Sequence, residues 1–199
     1  KSTVAPEIAR RLRDAGREVV LTDEPGGTAV GQHFWAYLRH PERPPLSPLA
    51  ELLLFEAARA QHVATVIRPA LERGAFVVCD RFGDSSVAYQ GHGRGLGIEA
   101  VERLNSIATG DLQPDLTLLL DVPIEVGLSR ARSLEADGAK LADAIGAESL
   151  DFHRRVRAGY AAIAAANPDR IAVIDASRPL SEVIESAWAA VARRVLTSP

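Results

Sequence analysis

The sequence is poor in several features, and each scarcity excludes a class of protein. One cysteine, Cys79, stands among 199 residues, so an intramolecular disulfide is excluded and a reducing cytoplasm is the expected location. The net charge of −3 gives no basic excess of the kind that nucleic-acid coats and membrane-surface proteins need. No apolar run approaches the roughly 20 residues of a membrane-spanning helix. The five histidines lack metal-ligand spacing, so a protein-held zinc site is not expected.

Apolar residues are plentiful, at 47% of the chain, and predict one domain over residues 1–199 with a core of its own. Apolar runs of strand length alternate with longer stretches of helical period, which is typical of an α/β fold with a parallel sheet. Because the runs are apolar at consecutive positions, we expect strands covered on both faces and Cys79 to be a buried thiol. The predicted strands are residues 18–22, 75–80, 116–121 and 171–175.

The helical stretches complete this pattern. The predicted helices are residues 4–15, 48–73, 98–109, 123–132, 150–166 and 180–196. Either Ser177 or Ser181 is placed to cap the last helix. Residues 133–149 are small, polar and irregular, which predicts a lid segment rather than a fixed element.

Three predicted strands end in an aspartate, at Asp80, Asp121 and Asp175. Ligands of open α/β sheets collect at the carboxyl ends of the strands. These aspartates therefore indicate the functional edge of the sheet.

The chain opens with Lys1, Ser2 and Thr3 directly before a helix. A Lys-Ser/Thr pair at a helix N-terminus matches the end of the phosphate-binding loop G-x-x-x-x-G-K-[ST]. We interpret Lys1 as the loop lysine, Ser2 as an Mg²⁺-ligating hydroxyl and Thr3 as its neighbour at the ATP phosphates. On this interpretation a first strand and the glycine-rich half of the loop belong before Lys1.

A long, irregular motif follows the second strand. Residues 80–91 read D-R-F-G-D-S-S-V-A-Y-Q-G and resemble the signature D-R-[YFH]-x-x-S-x-x-A-Y-Q-G of bacterial thymidylate kinases. Residues 23–28 are similar to that family's R-E-P-G-G-T, and residues 54–62 are similar to its L-F-x-A-x-R-x-Q-H. Residues 115–122, with Gly127, Leu128 and Arg130, match the strand that leads into the lid.

The resemblance implies a three-layer P-loop kinase fold with a mostly five-stranded parallel sheet, whose first and central strand is missing from the given residues. It implies phosphorylation of dTMP to dTDP by ATP with Mg²⁺, in dTTP biosynthesis. It also implies a cytoplasmic homodimer.

The resemblance assigns roles at the substrate phosphate and at ATP. Arg81 would bind the dTMP phosphate, because an arginine can bind phosphate bidentately where a lysine cannot. Asp80 would either orient Arg81 or hold the Mg²⁺ shell. Arg130 and Arg132 would close over the ATP phosphates from the lid and exclude water.

The family pattern also implies a nucleoside pocket. Phe55 would stack on thymine while Arg59, one helical turn later on the same face, bonds the edge of the base. Tyr89 would pack under the deoxyribose and reject a 2′-hydroxyl. The other residues assigned to dTMP are Ser86 and Gln90 at the base and Glu24 in a turn whose glycines, Gly26 and Gly27, admit the nucleotide.

Four positions depart from the family pattern. Asp23 stands where an arginine is usual, and Trp35 occupies a position that is commonly arginine. The lid motif D-R-[IF]-E is lost at Ala144 and Gly146. Lys140, Arg130 or Arg132 could compensate for that loss. Three hypotheses follow, namely an active dTMP kinase, a catalytically impaired paralogue that keeps the thymidylate pocket, and a kinase acting on another nucleotide.

Overall fold

A computed structural model of the chain describes residues 3–40, 42–136, 145–146 and 148–196. The four strands are β1 (Val19–Asp23), β2 (Phe76–Asp80), β3 (Thr117–Asp121) and β4 (Ile171–Asp175). The helices are α1 (Val4–Asp14), α2 (Ala29–Arg39), α3 (Pro48–His62), α4 (Arg68–Glu72), α5 (Gly83–Ser86), α6 (Ile98–Thr109), α7 (Ile124–Ala136), α8 (Leu150–Ala166) and α9 (Leu180–Val191). Wider π-helical turns extend α3, α5 and α9 over Val63–Ile67, Val87–Gly93 and Ala192–Leu196.

The strands form two parallel pairs, β1 with β2 and β3 with β4. Register aligns Asp23 with Asp80 and Asp121 with Asp175, so the strand ends meet in pairs at one edge. Within the described residues, β2 and β3 do not pair with each other. That agrees with the predicted α/β sheet in which a further strand belongs between them.

One face of both strand pairs is covered by α1 and α9. Ile8 and Leu12, one helical turn apart on α1, join a buried cluster with Ile174 of β4. Val78 of β2 and Leu118 of β3 pack against the same cluster. The two helices therefore tie the strand pairs together through apolar contacts. Two further helices contact the strands, α4 at β2 and α8 at β4.

Several predictions from the sequence need correction. All residues of β2 and β3 are only half-buried, and β1 and β4 each contain two exposed residues, so strands covered on both faces were wrongly expected. The helix predicted over residues 48–73 is confirmed, since helical structure runs without a break from Pro48 to Glu72, with a π-helical stretch at Val63–Ile67. Neither predicted serine caps α9, which Pro179 precedes, because the Ser177 hydroxyl donates to Asp175 instead.

The predicted buried thiol is half-buried. Its Sγ donates to the carbonyl of Arg81 at 3.0 Å. Burial, followed by the nearby carboxylates of Glu24, Asp23 and Asp80, raises the pKa of Cys79 well above its usual value. The thiol therefore remains protonated and has a structural role.

Among the described residues, no helix is long and apolar enough to cross a membrane.

Two glycines let α8 lie directly against the segment that follows α5. A Cβ at Gly93 would come within 2.8 Å of the Phe152 ring, and a Cβ at Gly159 within 2.7 Å of the His92 ring. Both contacts are shorter than side chains tolerate, so this close approach requires glycine. It sets the distance between α8 and the segment that carries Tyr89.

Substitution of Gly159 tests this packing. Alanine is the better helix former by about 1 kcal/mol, yet Gly159→Ala is expected to destabilise the protein by about 1–3 kcal/mol through overpacking. Denaturant unfolding measures the change. The control Ala162→Gly, at an exposed site on the same helix, should lose only the propensity difference. A stabilised Gly159→Ala variant would contradict the packing argument.

Candidate functional site

The three predicted strand-end aspartates have different surroundings. Arg157 binds Asp121 through two hydrogen bonds of 2.9 and 2.8 Å, and this contact lowers the pKa of Asp121. The amide and hydroxyl of Ser177 donate to Asp175 and lower its pKa. Among the described residues, none donates a hydrogen bond to the carboxylate of Asp80. Of the three predicted aspartates, Asp80 is thus the one whose oxygens stay available.

Arg81 directly follows β2 with a left-handed backbone, at φ 77°. This region is costly for a residue with a side chain, and such strain is found mostly at functional sites. The guanidinium carbon lies 5.1 Å from the centre of the Tyr89 ring, within cation–π range. The hydrogen bond from Cys79 Sγ to the backbone carbonyl of Arg81 helps to hold the left-handed backbone at Arg81. The strained turn thus places a cation just beyond the strand end.

Tyr89 belongs to an aromatic group beneath Arg81. Its ring centre lies 6.2 Å from both Phe152 and Tyr160 of α8. The Tyr160 hydroxyl donates to Ser85 Oγ at 2.9 Å. Burial raises the pKa of Tyr160 to about 12, so the phenol stays protonated. The group forms a rigid, uncharged wall on one side of the arginine.

Arg59 is the most heavily bonded side chain of the site and is only 2% exposed. Its Nε donates to Glu24 at 2.9 Å. Its Nη1 lies within hydrogen-bond distance of three acceptors, Glu56 at 2.6 Å, Asn105 at 2.7 Å and Ser86 at 2.9 Å. Burial alone would lower the pKa of Arg59, but the two carboxylates outweigh it and raise the pKa. The guanidinium is therefore permanently charged.

The third nitrogen of Arg59, Nη2, donates to none of the described residues. Phe55 lies one turn earlier on α3, half-buried, with Phe34 edge-on to its ring at 4.9 Å and 84°. A fixed aromatic ring and a fixed pair of N–H donors thus lie on the same helix, as the spacing predicts. Trp35, one of the four departures, packs against the same cluster and lies under the Arg39 guanidinium.

Glu24 begins the turn after β1, and its peptide bond to Pro25 is cis. Besides Arg59, its carboxylate binds His62 Nδ1 at 3.2 Å, while His62 Nε2 lies 2.7 Å from Thr22 Oγ1. A Cβ on Gly27 would lie 2.5 Å from that Nε2. The glycine is thus required by the protein's own packing, and not only by the approach of a nucleotide, as was predicted.

Gln90 is buried, and its amide nitrogen donates to Glu51 at 3.0 Å. Arg94 binds the same carboxylate, at 3.1 and 2.9 Å, and also binds Glu148 at 2.5 Å. Because the amide nitrogen is engaged, the predicted contact of Gln90 with the base would use its amide oxygen. Glu51 and Arg94, which the sequence analysis missed, fix its orientation.

The predicted ATP-binding residues are only partly described. Arg130 is exposed on α7 and donates to the Ala176 carbonyl after β4 at 2.9 Å. Thr3 is exposed and precedes α1 without capping it. Lys1 and Ser2 lie outside the described residues, as do the side chain of Arg132 and most of the predicted lid, including Lys140 and Ala144. Helix α7 extends through the first lid residues to Ala136.

Three buried polar residues around Arg59 were also missed, Glu56, His62 and Asn105. The sequence did contain a signal for Asn105. Val101, Asn105 and Thr109 recur at every fourth position of α6 and are all buried. A polar amide on an apolar helix stripe indicates a buried hydrogen-bonding partner.

A cavity of about 690 Å³ lies between α8 and the β3–β4 pair, and Tyr160 belongs to its lining. Its lining is mainly alkyl, and two of its charged residues, Asp121 and Arg157, neutralise each other. None of the residues predicted to bind dTMP or ATP lines it.

Comparison with known proteins gives consistent matches. The family model described as thymidylate kinase matches residues 1–187. The chain is 52% identical over 178 residues to the thymidylate kinase of Citrifermentans bemidjiense, covering 89% of this chain and 79% of that protein. It is 51% identical over 186 residues to the one from Desulfovibrio desulfuricans, covering 92% and 86%. It is 50% identical over 198 residues to the one from a Synechococcus species, covering 100% and 92%.

The pH dependence of stability tests the charge cluster. Burial raises the pKa of Glu56 above the ordinary 4.5, although Arg59 opposes the shift. The folded state therefore holds this proton more tightly than the unfolded state. Its contribution to stability is present below about pH 4.5 and is lost as pH rises through the folded pKa. Urea unfolding from pH 4.5 to 8 should show Glu56→Gln becoming more stable relative to wild type. Glu72→Gln, an exposed control, should show no such trend. Parallel curves for Glu56→Gln and wild type would refute the assignment.

Proposed function

Because the chain belongs to the thymidylate kinase family, we propose that it transfers a phosphoryl group from ATP to dTMP, giving dTDP for dTTP synthesis. The observation that supports this substrate best is the buried Arg59, fixed by four acceptors beside Phe55. The reaction between two anions depends mainly on positioning and charge neutralisation. The residues of the site are suited to both tasks.

Arg59 selects the base. A guanidinium can only donate hydrogen bonds, so its Nη2 pairs with a carbonyl such as O4 of thymine. Cytosine presents an amino group at the same position, and a buried donor facing another donor is left unpaired at a high cost. Phe55 stacks on the base, and Ser86 and the amide oxygen of Gln90 complete its edge. Glu24 acts through Arg59 by holding its Nε.

Arg81 anchors the phosphate of dTMP. Its turn projects the guanidinium beyond the end of β2, where bidentate binding to phosphate oxygens is possible. Tyr89 packs below the guanidinium and lies against the sugar. Because the arginine is pre-placed by backbone and aromatic contacts, little freedom is lost when the phosphate binds.

The carboxylate of Asp80 and the hydroxyl of Ser2 are suited to Mg²⁺, which prefers hard oxygen ligands and keeps several waters. The ion would neutralise phosphate charge when bound. Lys1, Ser2 and Thr3 bind the ATP phosphates, and Arg130 and Arg132 approach them from α7. The bond of Arg130 to the Ala176 carbonyl keeps its side chain at the strand-end edge.

We also propose that the chain acts as a single cytoplasmic domain that forms a homodimer through α3 and α6. These neighbouring helices expose apolar side chains away from the site, with Leu53 at 47% exposure and Ile107 at 71%. Ala57 and Ala64 continue the exposed face of α3 and its extension. A second copy covering this face would bury the exposed apolar area.

Loss of Arg81 tests the phosphate anchor. Arg81→Ala should weaken dTMP binding by about 2–5 kcal/mol while ATP binding changes little, since a charged, hydrogen-bonded contact is removed. Isothermal titration calorimetry with each nucleotide measures both affinities. The exposed Arg154→Ala serves as the charge-matched control. An unchanged dTMP affinity would show that another residue binds the phosphate.

A charge on the exposed helix face tests the dimer. Ile107→Glu should shift the protein from dimer to monomer in analytical ultracentrifugation, because it places an ionised carboxylate inside the apolar contact. Leu180→Glu adds the same charge at an exposed leucine of α9 and should leave the dimer intact. Dimers in both variants would place the interface elsewhere.

A further inference from the structure

Asn105 lies on α6 and is 7% exposed, and both polar atoms of its side chain are engaged. Its Oδ1 accepts a hydrogen bond from Arg59 Nη1 at 2.7 Å. Its Nδ2 donates to the carbonyl of Gly83 at 3.1 Å. One amide thus contacts the arginine assigned to the base and the backbone two residues beyond the arginine assigned to the phosphate.

The hydrogen bond from Arg59 Nη1 to Asn105 Oδ1 is not needed to pair the N–H groups of Arg59. Nη1 carries two N–H groups, while three acceptors, Glu56, Ser86 and Asn105, lie within 2.9 Å of it. Its hydrogens would stay bonded if Asn105 were apolar. What Asn105 adds is direction, because the guanidinium is planar and the positions of Nε and Nη1 fix where Nη2 points.

The second bond acts on the loop that carries Arg81. Gly83 begins α5, and a Cβ there would lie 3.4 Å from the Asn105 amide, so the side chain packs directly on this backbone. Phe82 lies between Arg81 and Gly83 in the chain, and the centre of its ring is 5.6 Å from the guanidinium carbon of Arg59. The loop and Arg59 therefore meet both through Asn105 and through Phe82.

An amide suits this position better than a carboxylate. Arg59 already faces two buried carboxylates, Glu24 and Glu56, and a third would add uncompensated charge. A carboxylate would also lack the N–H that pairs with the Gly83 carbonyl. Asn105 supplies one acceptor and one donor without charge.

We propose that Asn105 is a positioning residue that sets the distance and orientation between Arg59 and the Arg81 loop, so that the base and phosphate of dTMP are bound in one register. In this role Asn105 contacts neither the base nor the phosphate of dTMP. It acts through its hydrogen bonds to Arg59 and to the Gly83 carbonyl. The inference rests on the proposed roles of Arg59 at the base and Arg81 at the phosphate.

The test is steady-state kinetics of Asn105→Leu with dTMP and with dCMP. Leucine keeps the volume and removes both bonds. We expect KM for dTMP to rise about tenfold, kcat to fall less, and the preference for dTMP over dCMP in kcat/KM to shrink. A variant that merely loosened the fold would lose activity with both substrates equally. Asn105→Ser, which is too short to reach either partner, gives the same test if the leucine variant does not fold.

A mutant cycle with Arg59→Lys separates the possible outcomes. If Asn105 acts through Arg59, its effect on discrimination should vanish in the Arg59→Lys background. Discrimination unchanged by Arg59→Lys alone would overturn the role proposed for Arg59. Discrimination lowered by Arg59→Lys but not by either Asn105 variant would overturn the positioning role and leave the proposed function standing.

Discussion

The site depends on one buried cation. Removing a guanidinium from water is costly unless its donors are paired, and Arg59 has partners from four separate elements. Glu24 comes from the turn after β1, Glu56 from α3, Ser86 from α5 and Asn105 from α6. No single element could satisfy it. The requirement to pair this arginine therefore fixes the relative positions of the segments that surround the proposed nucleoside pocket.

The charge of this cluster also explains why different arginines are proposed for the base and for the phosphate of the substrate. Two carboxyl groups already accept from the one guanidinium, and the second oxygen of Glu56 is buried without a hydrogen bond to the described residues. The group therefore carries no net positive charge, which suits an uncharged base better than a phosphate. On the proposed assignment, the phosphate is bound by a cation outside the cluster, Arg81, in the strained turn after β2. The two arginines thus come from different elements, Arg59 from α3 and Arg81 from the turn after β2.

The sequence predicted those features that follow from chain-local rules. Strand ends at Asp80, Asp121 and Asp175 were correct because apolar runs and turn residues mark them directly. The shared helix of Phe55 and Arg59 followed from a spacing of four. The orientation of the Gln90 amide could not be predicted from local spacing, because its partner Glu51 lies 39 residues away in the chain. Half-burial of β2 and β3 was missed because the cover of a strand depends on its neighbours rather than on its own composition.

Asp23 shows how one departure from the family pattern bears on this arrangement. It ends β1 directly beside Asp80, so two aspartates adjoin at this edge. A Cβ on Gly26 would lie 2.6 Å from an Asp23 carboxylate oxygen, so this side chain folds over its own turn. Asp23 adds an acidic side chain at this edge, and β1 contributes no cation there. On the proposed assignment of Arg81 to the substrate phosphate, that arginine acts without help from β1, and the aromatic support beneath it matters correspondingly more.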